Sequence, residues 1–515
     1  MKDKQNKPWF LAATIAALVA ALVLIASPAL ADGPNQNQDR GDFRPSQPVS
    51  YNLYATDGNW KMADGTELYS YGFVGGRTGE TITYLDKGDG APKPWKVVPP
   101  TAGTSATAPE MQLLGSAQFP APMITCAVGD TVTITLKNLG ITNPNAAGND
   151  PHSIHLHGLD VDVANDGVPE TSVAATPAYQ PAEFSSTQLP PGSGNVVVYM
   201  FTPKTAGTYF YHCHQEADIH VDMGMYGALI VYNRGEKGAQ SVNSGGGPGS
   251  PGSLFGWQYD KDVVLMISDT DANQHFSEGG INGSILDTSN GVFQDFSGLN
   301  KAPPAGSFDP ISYTPQYWFI NQISFPNTIH ANTTFSYDNW AAAHHGYDPL
   351  ITGSVSKKDK VLIRMINMGF QTQPMHIHGF HMKVLGKDQR AWSFANAPGT
   401  PTGQGMEVNT ITVGSGEEYD LLIDFSVQAT TSAYSSGVQS RYDKNGKPVS
   451  NTLTADKAIP APEGAPYIGG PTVHGAIIAP AVPSQIFVFH NHDDYKATNN
   501  GVYPGGMFTI VEPLP

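Results

Sequence analysis

Four His-x-His triplets constrain this chain more than any other feature: His155-Leu156-His157, His212-Cys213-His214, His376-Ile377-His378 and His490-Asn491-His492. Together they account for half of its 16 histidines. In a β-strand, residues i and i+2 share a face, so each triplet projects two imidazoles side by side and sends its middle residue the other way. Imidazole suits copper, zinc, iron and nickel. Cys213 narrows the choice, because a thiolate with two histidines and a weak axial methionine is the ligand set of a blue-copper centre. Copper is the metal these residues point to.

An all-β architecture follows from composition. Only 14% of residues are charged, and 55 Gly with 41 Pro supply turns at a rate that long helices do not tolerate. A net charge of −17 excludes nucleic acid as a partner. The two cysteines do not read as a disulfide, since Cys213 sits inside the histidine cluster; Cys126 is expected as a buried free thiol. Lys2, Lys4 and Lys7 precede an apolar run from Trp9 to Ala26, and Ala29-Leu30-Ala31 ahead of Asp32 has the form of a signal-peptidase site. Residues 1–31 are expected to be a signal peptide directing export to the periplasm or the exterior, or an anchor where they stay uncleaved. Without a twin-arginine motif, export unfolded and metal loading outside the cytoplasm follow.

Residues 32–50 carry few apolar side chains and are expected as a mobile tail, with folded structure from Tyr51. The run SGGGPGSPGS at 244–253 marks a linker, taken as 236–256, between a first domain at 51–235 and a second at 257–515. The halves repeat one another: the stretch 129–140 aligns without gaps to 358–369, and each leads into a His-x-His. The longer spacing from His378 to His490 than from His157 to His212 assigns half two an insertion, within 427–484. Extending the repeat through Ala228-Leu229-Ile230-Val231 and Phe508-Thr509-Ile510-Val511 sets Asn500 opposite His220 and Gly505 opposite Met225.

Parity sorts the half-one ligands. His152 lies at odd spacing from His155 and His157, as Cys213 does from His212 and His214, so one face collects His152 and Cys213 and the other collects four histidines. His220 and Met225 complete a blue-copper set, with Met223 the competing axial sulfur. Half two has Gln373 and Asn491 in the corresponding positions. His344, His345 and His381 are assigned to loop and barrel structure.

These motifs resemble those of the multicopper oxidases, the laccases and metallo-oxidases, over residues 51–515. The layout, with the blue site in the first half, is similar to the two-domain members. The resemblance implies two cupredoxin-like Greek-key β-barrels joined by the Gly/Pro/Ser-rich linker. It implies four coppers per chain: type 1 at His152, Cys213, His220 and Met225, type 2 at His155 and His376, and a type 3 pair at His157, His212, His214, His378, His490 and His492. It further implies a homotrimer with clusters between subunits, and a reaction joining one-electron oxidation of a phenol, aromatic compound or metal ion to reduction of O₂ to water. Asp166 resembles the family's acidic residue near type 2 copper and is the candidate proton donor, with Asp493 and Asp494 as weaker ones. Glu216, Asp218 and Asp222 are candidates to guide a cationic reductant to the edge of His220. Two alternatives stand beside this: a copper nitrite reductase, for which four of the paired histidines are surplus, and a non-catalytic exported copper-binding or electron-transfer protein.

Overall fold

The computed structural model describes residues 46–86, 91–101, 106–143, 146, 150–178, 194–235, 251–279, 284–287, 292–295, 310–329, 347, 349, 351–354, 359–392, 406–425, 441–442, 448–449 and 487–514. Residues 1–31, most of the tail, the linker to residue 250, His344, His345 and most of the 427–484 insertion lie outside the described residues. No described helix is long and apolar enough to cross a membrane.

Half one builds two four-stranded sheets. One holds β1 (Pro48–Lys61), β2 (Glu67–Arg77), β4 (Thr131–Gly140) and β6 (Val196–Phe201) in the order β2-β1-β4-β6. The other holds β3 (Ile124–Ala127), β5 (His155–His157), β7 (Gly207–His212) and β8 (Tyr226–Tyr232) in the order β3-β8-β7-β5. β1 begins at Pro48, so paired structure starts three residues ahead of Tyr51. Alternation sets the core: Val132, Ile134 and Leu136 of β4 point inward with Tyr199 of β6, and meet Leu229 and Val231 of β8 and Tyr209 and Tyr211 of β7 from the other sheet. Cys126 is a free thiol in that core, and burial pushes its pKa up.

Half two repeats the plan. β9 (Lys261–Thr270), β10 (Tyr317–Ile320), β12 (Lys360–Asn367), β14 (Met382–Lys387), β15 (Arg390–Ala391), β16 (Glu407–Val408) and β18 (Glu418–Asp424) form a seven-stranded sheet, β10-β9-β12-β18-β14-β15, with β16 pairing β14. β11 (Ile351–Ser354), β13 (Gln373–Ile377), β17 (Thr410–Val413), β19 (Phe487–Asn491) and β20 (Phe508–Leu514) form the second sheet, β11-β20-β19-β13-β17. In both halves a parallel pair interrupts the antiparallel sheet, β1 with β4 and β9 with β12.

Neither barrel stands alone. β8 is buried along its whole length because Leu229 and Val231 face their own core while Ala228, Ile230 and Tyr232 face Val264, Met266 and Ile366 of the second barrel. Arg364 of β12 fixes the register of this contact. Its Nε donates to Asp262 at 2.7 Å, one terminal nitrogen donates to Thr208 of the first barrel at 3.2 Å and the other to Tyr259 at 3.1 Å. Thr208 in turn donates to Asp420 at 2.6 Å, so the buried charges are paired and the site of contact is specified, not merely greasy.

Candidate metal centres

Cys213 leaves β7 with its side chain turned into the first core, and His152 and His220 converge on it. His152 precedes β5 and is anchored by backbone hydrogen bonds in both directions with Ala175, at 2.9 and 2.8 Å. His220 ends a short helix, α1 (Ala217–His220). Cys213 Sγ lies 3.4 Å from His220 Nδ1 and 3.8 Å from His152 Nδ1, and all three residues are buried. Donors bound at about 2.0–2.3 Å around one ion stand roughly 3.6 Å apart, so these spacings fit a shared metal. Met225 is tied to both partners: its carbonyl accepts from Cys213 N and its amide donates to His220 O, each at 3.0 Å. Met223, the competing sulfur, is equally buried, with its amide bonded to Ile219 O. Burial pushes His152 well below the usual imidazole range. Burial opposes the charge on His220 as well, but Cys213 and Asp150 outweigh it and hold its pKa up at about 10.

On the opposite parity, β5 and β7 pair His155 with His212. His155 lies 5.7 Å from His157, 5.2 Å from His212 and 5.3 Å from His214, ring centre to ring centre. Hydrogen bonds fix the ring orientations. His155 Nδ1 lies 2.7 Å from Asp166 O and 3.2 Å from its carboxylate, and His212 Nδ1 lies 2.8 Å from Cys213 O, which leaves each Nε2 to a metal. Burial holds His157 at about 4 and His212 at about 3, so both imidazoles are neutral, the form that ligates. His157 stacks on Phe210 at 4.0 Å, and its Nδ1 is buried without a partner.

Half two reproduces the arrangement on β13 and β19, where His376 pairs with His490. His376 lies 4.9 Å from His378, 5.7 Å from His490 and 5.1 Å from His492. His490 Nδ1 bonds to Asn491 O at 2.8 Å, just as His212 bonds to Cys213 O, and His376 Nδ1 meets Thr410 Oγ1 at 2.8 Å. His378 Nε2 and His490 Nε2 stand 3.2 Å apart, too close for two metal-free acceptors but suited to a shared ion or proton. The four rings thus form a second tetrad.

The family described as "Multicopper oxidase" matches residues 91–235 and 324–431, a span that contains Cys213 and three of the four triplets. The chain belongs to the multicopper oxidases. Copper is therefore its cofactor class. Copper resistance protein A of Escherichia coli is 26% identical over 331 residues, 61% of this chain and 43% of that protein. An iron transport multicopper oxidase of Epichloe festucae is 29% identical over 154 residues, 30% of this chain and 18% of its own length. The chain thus spans less than half the length of either curated relative. The solved blue copper oxidase of Nitrosomonas europaea covers 90% of this chain and 86% of its own, with 18% identity and a TM-score of 0.48.

Around the blue-site trio, this multicopper oxidase departs from expectation in two ways. His220 has no exposed edge. Its ring is fully buried, and its Nε2 faces Asp150, 3.9 Å away, and Glu216. Asp222 is not on that surface either, because it turns inward to accept from Thr270 at 2.8 Å and lies 3.6 Å from His275. The acids that gather by His220 are Asp150, Glu216 and Glu278, the last from α2 (Ala272–Glu278) in half two. Burial, then the charge of Asp150, pushes Glu278 up to about 7. Asp150 stands two residues before His152 and was findable by proximity; Glu278 carried no sequence signal.

The second departure concerns register. His212 pairs with Tyr226, whereas His490 pairs with Phe508, so the connection after the last triplet is four residues longer in half two. A gapless extension cannot cross that difference. Met507, not Gly505, stands opposite Met225, and Lys496, not Asn500, stands opposite His220.

Proposed function

We propose that this protein is a copper oxidase that takes single electrons from a reductant at His152, Cys213, His220 and Met225. Four such electrons reduce dioxygen to two waters at a cluster held by His155, His157, His212, His214, His376, His378, His490 and His492. One observation carries this reading. Cys213 aims its sulfur at His152 and His220 while the rings of its covalent neighbours, His212 and His214, belong to the half-one tetrad. Bound copper supplies the one-electron couple at the sulfur and the oxygen-reducing centre at the imidazoles. The chain supplies the rest. β7 joins the two sites through two peptide units, the Nδ1 hydrogen bonds fix which ring nitrogen faces the metal, and Asp166 orients His155. Asp166 has a side chain 35% exposed and a carboxylate 3.2 Å from His155 Nδ1, so it can carry protons from solvent to the cluster.

The cluster needs a second copy of the chain. Among the described residues, no metal-holding group mixes the two tetrads. His157 Nε2 lies 3.9 Å from where a Cβ on Gly416 would stand, beyond the Val413 end of β17, whereas His376 pairs with Thr410 at the other end. Those ends are about 10 Å apart. His378 and His492 are exposed, and Val163, Val198 and Met200 form an exposed apolar patch beside Asn165, next to the half-one tetrad. A cyclic trimer, as the two-domain resemblance implies, brings the first tetrad of one chain to the second tetrad of the next. Copper per chain tests the whole reading: about four is expected, and about two sinks it in favour of a nitrite-reductase layout.

The reductant that the blue site favours is a divalent cation. Asp150 and Glu216 offer carboxylate oxygens within 4.8 Å of a His220 ring nitrogen, Glu278 adds a further acid in electrostatic reach of both, and one Glu278 oxygen is buried without a partner. Converting Asp150 and Glu216 together to Asn and Gln is expected to raise KM for Fe(II) about tenfold while leaving KM for a neutral phenol within about twofold. Equal effects on both reductants in steady-state assays would reject the cation.

A further inference from the structure

Barrel two keeps the connections of the blue-copper pocket but not its chemistry. In barrel one, Cys213 N donates to Met225 O, and Met225 N donates to His220 O. In barrel two, Asn491 N donates to Met507 O at 2.9 Å, and Met507 N donates to Lys496 O at 3.0 Å. Gln373 precedes the paired His376 by three residues, as His152 precedes His155. Gln373, Asn491, Lys496 and Met507 therefore occupy the positions of His152, Cys213, His220 and Met225, and all four are buried. Only the axial methionine survives.

A polar ladder fills the pocket. Asp269 of β9 accepts from Gln373 Nε2 at 2.6 Å, and Gln373 Oε1 accepts from Asn491 Nδ2 at 2.7 Å. The same Nδ2 lies 3.3 Å from Met507 Sδ, and Asn491 Oδ1 accepts from Asp493 N at 2.9 Å. Lys496 Nζ donates to Thr372 O at 2.8 Å and pairs with Asp493 at 3.2 Å. The ladder runs from one sheet of the barrel to the other and ends on the two strands that carry half-two histidines. Asn491 lies between His490 and His492, and Gln373 opens β13.

We propose that this ladder is a metal-free brace, with Gln373 and Asn491 as positioning residues that hold β13 and β19, and so the half-two tetrad, at ligating spacing before copper arrives. The physical need is plain. β13 and β19 pair over only three residues, and two of the four histidines they present are exposed. A fully satisfied buried polar chain rigidifies what it ties, and breaking one link leaves its partners unpaired at the full desolvation cost. In barrel one the corresponding cross-tie would be a bound copper, which His152 and Cys213 would hold; the inference rests on that reading of barrel one.

The test begins with copper-free protein. Gln373→Met keeps the volume and removes both links. It is expected to speed hydrogen exchange of the His378 and His492 amides, which donate to Val488 O at 2.9 Å and Pro374 O at 2.7 Å, by about tenfold. The Cys213 amide in barrel one is expected not to change. After loading, the variant should lose copper from the cluster while its thiolate band persists. Unchanged exchange at His378 and His492 overturns the brace, and so does a variant in which barrel one loosens equally, since the effect is then global. The positional assignment has its own test in the triple variant Gln373→His, Asn491→Cys, Lys496→His, which rebuilds a ligand set around Met507. About one further copper per chain and about twice the thiolate absorption are expected. A folded triple variant with only the parental band overturns the assignment. A parent chain with no thiolate band at all would indict the reading of barrel one, while the exchange result would still decide the brace.

Discussion

Cys213→Ser chains are expected to purify without blue colour and to lose turnover by roughly a thousandfold or more, the scale on which an essential member of a coupled unit acts, while retaining about three coppers each. Cys213 is fully buried, and its sulfur is the atom on which His152 and His220 converge. Serine fits the same space and can still accept from Ser153 N, which lies 3.5 Å from the sulfur, so the barrel is expected to fold. A hydroxyl does not replace a thiolate as a soft, strongly donating ligand, so the charge-transfer colour goes. The half-one tetrad is untouched, because its rings lie on the parity opposite the thiol, and His155 and His212 are fixed through Nδ1 hydrogen bonds to Asp166 and to the Cys213 carbonyl, not to the thiol. Absorption spectra and copper analysis on the same sample separate the two sites. Retained blue absorption would remove Cys213 from the type 1 role, and loss of all four coppers would mean that the sites are not built independently.

Much of this arrangement was legible because strand parity is rigid. A period of two places His152 and Cys213 on one face and four histidines on the other whatever the surrounding loops do, and the same rule wrote Val132, Ile134 and Leu136 into one core and Val361, Ile363 and Met365 into the other. What failed depended on loop length or on residues distant in sequence. The longer connection before β20 hid Met507 behind a gapless alignment, which offered Gly505 in its place. Asp222 reads as one more acid in a loop, yet it turns inward because Thr270 and His275 of the second half wait there. Glu278 reaches the neighbourhood of His220 from α2, more than fifty residues along the chain, with Tyr71 donating to it from a third element at 3.3 Å. No local pattern encodes a meeting of that kind. β12 makes the same point in packing terms: its alternation predicts one buried face, but the first barrel covers the other, so Arg364 is buried and paired where β4 shows half-exposed threonines.

Mixing two inactive chains is expected to restore activity, and this outcome bears hardest on how the cluster is assembled. One chain carries His214→Ala, which breaks the half-one tetrad; the other carries His378→Ala and His492→Ala, which break the half-two tetrad. Each alone should keep its blue band, since none of these residues belongs to the thiolate trio, and each should fail to reduce dioxygen. In a ring whose interfaces join the first barrel of one chain to the second barrel of the next, random co-assembly gives about one quarter of interfaces with both tetrads intact. Oxygen consumption near a quarter of the parental rate per blue site is therefore the expected result after co-refolding. The separated tetrads argue for this, as do the exposed His378 and His492 and the apolar surface of Val163, Val198 and Met200 beside Asp166. If each chain instead builds its own cluster, every cluster in the mixture keeps one broken half and activity stays at the level of the separate variants. Dilution adds an independent check: a cluster shared between chains loses copper as the oligomer dissociates, while the blue band, built within one barrel, does not.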